Sequence, residues 1–155
     1  MHDYTLQGAQ GAASFNEIIA EGYGKPQSAR EFTELAQWVN YDGHRSLFES
    51  RSKNRMGLLM WMSHPCWPSM VWQTYDYYLE PTAAYFAIKK ASEPLHIQWN
   101  PATDEVEVVN YSAGTHSHLT ARVQILNMDA SVAWEKETTV DSVRIRQRSA
   151  SSWNS

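Results

Sequence analysis

Ser63 and His64 stand where flat aromatic rings crowd the sequence. Three Trp and three Tyr, from Trp61 to Tyr78, fall within eighteen residues. Each Trp or Tyr has a polar edge that needs a partner once buried, so a core seldom takes such a density. A pyranose presents apolar C–H faces and a polar equatorial rim, and rings beside hydroxyl and imidazole groups suit it. Carbohydrate binding is therefore the first reading. Trp61 fits either a core side chain or a stacking platform. Ser63 and His64 are suited to bond a sugar hydroxyl, although a loop histidine bonded to backbone serves nearly as well for His64. Trp67 either packs beneath the loop or lines an outer part of a pocket. Asp76 reads more readily as ordering a turn than as touching substrate.

Other chemistry is sparse. His116 and His118, two apart in an alternating run, would share a strand face, but no third ligand has metal-site spacing and no metal is expected. Cys66 is the only cysteine, which excludes an internal disulfide. The net charge of −4, from 13 basic and 17 acidic residues, offers no basic footprint for nucleic acid, which is not expected as a partner. The longest apolar stretch, Gly57 to Met62, is far below the roughly 18 residues a membrane span needs. The opening MHDYTLQGAQGAAS lacks the basic and apolar regions of a signal peptide.

The elements that would position these residues divide near Pro94. Ser28-Ala29-Arg30-Glu31 is a capping-box signal for a helix running toward Arg51. Its inward stripe would be Phe32, Leu35, Ala36, Val39, Gly43 and Leu47, and Arg51, Lys53 and Arg55 gather where its dipole favours positive charge. Gly57 to Trp61 reads as a short, continuously apolar strand, as one buried on both faces would. A second helix is expected to start at Pro81, present Ala84, Ala87 and Ile88, and close before Pro94. Beyond Pro94, period-two runs at Leu95 to Trp99, Glu105 to Val108, Leu119 to Ile125, Val132 to Trp134 and Val143 to Ile145 predict four or five strands. Asn100 to Asp104 supplies turn chemistry between the first two. The tail RQRSASSWNS has no evident pairing partner.

An apolar strand ending in Trp61, then Trp67-Pro68, Trp72, Asp76 with Tyr77 and Tyr78, and a helix carrying Lys89 and Lys90 follow one another in order. This order resembles the eighth strand and following loop of the catalytic barrel of glycoside hydrolase family 2. The segments EPLHIQWNP and VEVVNYSAG resemble its branch of exo-β-glucosaminidases and mannosylglycoprotein endo-β-mannosidases. The likeness runs from about His2 to about Trp134 and is most specific between Gly57 and Asn110. Many β-mannosidases carry Asn-Asp where this chain has His64-Pro65.

The resemblance implies a mixed α and β fold: residues 1–93 as the C-terminal part of a (β/α)8 TIM barrel and 94–155 as a partial immunoglobulin-like β-sandwich. A whole barrel takes about 250 residues and a sandwich about seven strands, so 155 residues are expected to be a fragment that lacks the N-terminal part of its enzyme. The parent is expected to be a retaining β-glycosidase without cofactor, acting on a glucosaminide or mannoside in the periplasm or outside the cell. Trp61, Ser63, His64 and Trp67 become substrate-binding residues, with a non-proline cis peptide implied at Trp61-Met62. No catalytic residue is expected in the chain. Asn16-Glu17 repeats the family's acid/base dipeptide too close to Trp61, and Glu21 is followed by Tyr23-Gly24-Lys25-Pro26, which matches a loop beyond the nucleophile. A non-catalytic carbohydrate-binding module and a structural remnant are the alternatives.

Overall fold

A glycine in left-handed conformation ends the first helix. The computed structural model describes residues 12–50, 58–68, 73–100, 104–112, 114–142 and 150–151. Within these, α1 spans Ala12–Tyr23, and Gly24 follows at φ 86° with its amide bonded to the Ala20 carbonyl. That φ strains any residue with a Cβ, which is why glycine closes the helix. This helix is not among the elements expected from the sequence. Ile19 of α1 is nevertheless the largest fully buried side chain among the described residues.

Local capping sets α2, Ala29–Glu49. Ser28 Oγ accepts from the Glu31 amide at 3.2 Å, which satisfies an amide that the helix start leaves unpaired, and the Glu31 carboxylate accepts from the Gln27 amide before the cap at 2.6 Å. Of the expected stripe, Phe32, Leu35, Ala36 and Val39 are half-buried, whereas Gly43 and Leu47 are exposed. Arg51, Lys53 and Arg55 lie outside the described residues; the last turn of α2 has no basic residue.

The third helix, α3, spans Ala83–Ala91, two residues later than expected. Pro81 is drawn instead into an antiparallel bridge with Tyr75, which leaves Thr82 as the N-cap. Ala84, Ala87 and Ala91 are buried, and the Ala83 amide donates to Gln37 Oε1 of α2 at 2.8 Å. The strand expected at Gly57 to Trp61 is not formed at 58–61. Gly57 lies outside the described residues, and a strand exists only where a neighbouring backbone pairs with it; none among the described residues does.

Residues Met1–Ser92 and Glu93–Ser155 form two compact units. The second holds β1 (Leu95–Asn100), β2 (Glu105–Asn110), β3 (His116–Leu126), β4 (Val132–Ser142) and β5 (Ala150–Ser151). These make a sheet ordered β1-β2-β5 and a separate β3-β4 hairpin. Val143 and Ile145 lie outside the described residues. The tail read as partnerless does pair in part: Ala150 and Ser151 lie opposite Glu107 and Val106.

Burial in β1 and β2 runs against hydropathy. His96, Gln98 and Glu107 are buried, whereas Trp99 is 60% exposed. The polar face is tolerable because its members bond one another: His96 Nδ1 lies 2.6 Å from the Glu93 carbonyl oxygen, His96 Nε2 lies 3.2 Å from Gln98 Oε1, and Gln98 Nε2 donates to Glu107 at 3.4 Å. In β3 the register shifts between His116 and Leu119, with His118 at φ 57°. Such a bulge breaks the alternation that would set His116 and His118 on one face.

Candidate functional site

The loop 61–68 is held by polar groups eleven and twelve residues further along the chain. The Ser63 carbonyl accepts from the Tyr75 amide at 2.9 Å and from the Thr74 hydroxyl at 2.8 Å, which uses both of its acceptor positions. Tyr75 is fixed in turn by its bridge to Pro81. The Thr82 hydroxyl does not cap its own helix; it reaches the Gln73 carbonyl at 2.8 Å and the Thr74 carbonyl at 3.1 Å.

On this anchored loop the Trp61-Met62 peptide is cis, where the family resemblance implies one. Trp61 is 78% exposed, so no core of the described residues takes it in. Ser63 Oγ lies 3.0 Å from His64 Nδ1; among the described residues the partner of His64 is thus a hydroxyl rather than backbone. Trp67 is 48% exposed, Cys66 is an exposed free thiol, and Pro65 is buried. The structure brings Ser63 and His64 into direct contact and puts Trp61 and Trp67 on the same loop. Trp72 lies outside the described residues.

Asp76 has a different task. Its Oδ1 accepts from the amides of Tyr78 at 2.8 Å and Glu80 at 2.9 Å, and so closes the turn in which Leu79 sits at φ 66°. This is the turn-ordering role read from the sequence.

Chemically, the loop WMSHPCWP contains no Asp, Glu, Lys or Arg. It offers flat rings, a hydroxyl, an imidazole and a thiol, groups that can stack on a sugar and bond its rim. It has no carboxyl group to act as nucleophile or proton donor in glycoside cleavage. Glu17 and Glu21 are exposed on α1. His116 Nε2 lies 2.7 Å from Ser112 Oγ, and no three metal-binding side chains cluster among the described residues. A depression of about 360 Å3, lined by Gln37, Trp38, Tyr41, Ala83 and Phe86 among others, lies between α2 and α3 and takes no residue from the loop.

Thr74 and Thr82 were missed in the sequence. A threonine before an alanine-rich helix signals a cap, and nothing local shows that its hydroxyl turns the other way.

No family model matches the chain. Its sequence is, however, 34% identical over 132 residues to an exo-β-D-glucosaminidase of Amycolatopsis orientalis, an alignment covering 81% of this chain and 13% of that protein. It is 36% identical over 132 residues to the exo-β-D-glucosaminidase of Streptomyces avermitilis, covering 81% and 15%. A mannosylglycoprotein endo-β-mannosidase of Lilium longiflorum is 32% identical over 118 residues, covering 74% and 12%. The crystal structure of the Amycolatopsis orientalis exo-chitosanase superposes with a TM-score of 0.79 at 30% identity, over 90% of this chain and 17% of that one. A β-D-mannosidase of Dictyoglomus thermophilum shares the fold, with a TM-score of 0.70 at 19% identity, over 88% and 17%. These relatives are enzymes of glycoside hydrolase family 2, which the chain resembles. The chain spans between 12% and 17% of the length of these relatives.

Proposed function

We propose that the whole protein is a retaining β-glycoside hydrolase acting on β-linked glucosaminides or mannosides, and that this chain supplies part of its sugar-binding subsite. Residues 1–93 would be the C-terminal part of the TIM barrel and 94–155 part of an immunoglobulin-like sandwich. Trp61 is the platform under the sugar next to the bond that is cut, Ser63 and His64 bond its hydroxyls, and Trp67 lines the outer part of the pocket. One observation carries this reading: Trp61 presents an exposed ring beside the Ser63–His64 pair, on a loop within a chain akin to exo-β-D-glucosaminidases.

Retention needs two carboxyl groups about 5 to 5.5 Å apart, one attacking the anomeric carbon and one donating and then accepting a proton. The uncharged loop can orient the sugar between such groups, and they must come from elsewhere in the enzyme. The exo-β-D-glucosaminidases among the relatives support testing a glucosaminide first. The test is hydrolysis of p-nitrophenyl β-D-glucosaminide by the intact enzyme, followed by NMR at early times. The β-anomer of glucosamine should appear first. No turnover of this substrate or of p-nitrophenyl β-D-mannoside, or the α-anomer first, would overturn the proposal.

A further inference from the structure

The Thr74 hydroxyl is 9% exposed as part of its residue and points back across eleven residues to the Ser63 carbonyl. Both sides of Thr74 are engaged, because its own carbonyl accepts from the Thr82 amide at 2.9 Å and from the Thr82 hydroxyl. Thr82 is the N-cap residue of α3 without a side-chain cap bond; Gln37 of α2 accepts from the neighbouring Ala83 amide, and the Thr82 hydroxyl turns to the 73–74 segment. A continuous set of hydrogen bonds therefore runs from α2 through the start of α3 to Ser63, two residues from Trp61 and next to His64.

We infer that Thr74 is a positioning residue for the aromatic loop: its hydroxyl sets the orientation of the Ser63 peptide and, through it, of Trp61 and His64 toward the sugar. This rests on the proposed sugar-binding role of the loop. The chemistry favours threonine specifically. The buried hydroxyl needs an acceptor, and the β-branch restricts its rotamers and so keeps the hydroxyl aimed. Valine matches the shape but leaves the Ser63 carbonyl with one donor instead of two, and serine keeps the donor.

The experiment compares the intact enzyme with its Thr74→Val and Thr74→Ser variants by NMR and by titration with glucosamine. In Thr74→Val the Trp61 indole N–H signal should shift, the Tyr75 amide should lose exchange protection, and glucosamine affinity should fall about tenfold, the equivalent of one buried hydrogen bond. Thr74→Ser should restore all three. If the wild-type enzyme binds no glucosamine but the loop signals still respond in this way, the sugar reading fails and the positioning role stands. If Thr74→Val melts earlier while the Trp61 signal and the affinity are unchanged, the positioning role is overturned. If Thr74→Val does not fold, the wild-type enzyme decides: a slowly exchanging Thr74 hydroxyl proton with cross-relaxation to Ser63 supports the proposal, and its absence overturns it.

Discussion

The hydroxyl of Ser63 and Nδ1 of His64 lie 3.0 Å apart, and this contact orients the only imidazole in the aromatic loop. A ring held through Nδ1 turns Nε2 to the other side, where it can meet a ligand. Ser63→Ala should therefore weaken sugar binding even if Ser63 itself touches no sugar. The expected loss is about threefold to tenfold in affinity, the range for one neutral hydrogen bond. Titration of Ser63→Ala and His64→Ala singly and together checks this, because a shared role predicts that the double variant loses less than the sum.

Asp76 should matter to folding and little to sugar. One carboxylate oxygen receives two amides, so Asp76→Ala leaves both to water in this exposed turn, at a cost of about 0.5 to 1.5 kcal/mol of stability. Asp76→Asn keeps an oxygen acceptor and should cost less. Thermal melts rank the variants, and affinity per folded molecule should be unchanged.

Acid should loosen the β3-β4 hairpin. Bonds from the Ser131 side chain, then its backbone amide, hold Asp129 below its ordinary range. Bonds from Arg122, then Gln124, do the same for Glu135. Both groups bind protons less readily in the folded hairpin than in the unfolded chain, so their contribution is complete above the unfolded value and is lost as pH falls through the folded one. Amide exchange in β3 and β4, corrected for intrinsic rates, should show protection falling as the solution becomes acidic. Glu135→Gln should flatten part of that dependence, and protection that holds constant into acid would contradict it.

What the sequence made legible follows the range of each interaction. The start of α2 was readable because Ser28 and Glu31 are three residues apart, and the alternating runs located β1 to β4. The faces were not readable: the burial of His96, Gln98 and Glu107 depends on bonds among them. Pro81 looked like a helix start because its bridge to Tyr75 is not local. The aromatic loop stood out by residue type, whereas the Thr74 anchor depends on a contact eleven residues away.

Trp61 should be needed for rate more than for folding. An exposed ring contributes less to stability than a core Trp, whose truncation costs about 3 to 5 kcal/mol. A platform under the reacting sugar is different, because positioning errors are amplified as the ring flattens toward the transition state. The most direct measurement is kcat/KM of the intact enzyme and of Trp61→Ala on p-nitrophenyl β-D-glucosaminide, with a melt of each. The platform predicts a fall of about two orders of magnitude or more, on the order of 3 kcal/mol of transition-state stabilisation, with Tm nearly kept. A folded Trp61→Ala enzyme with near-normal kcat/KM would contradict it.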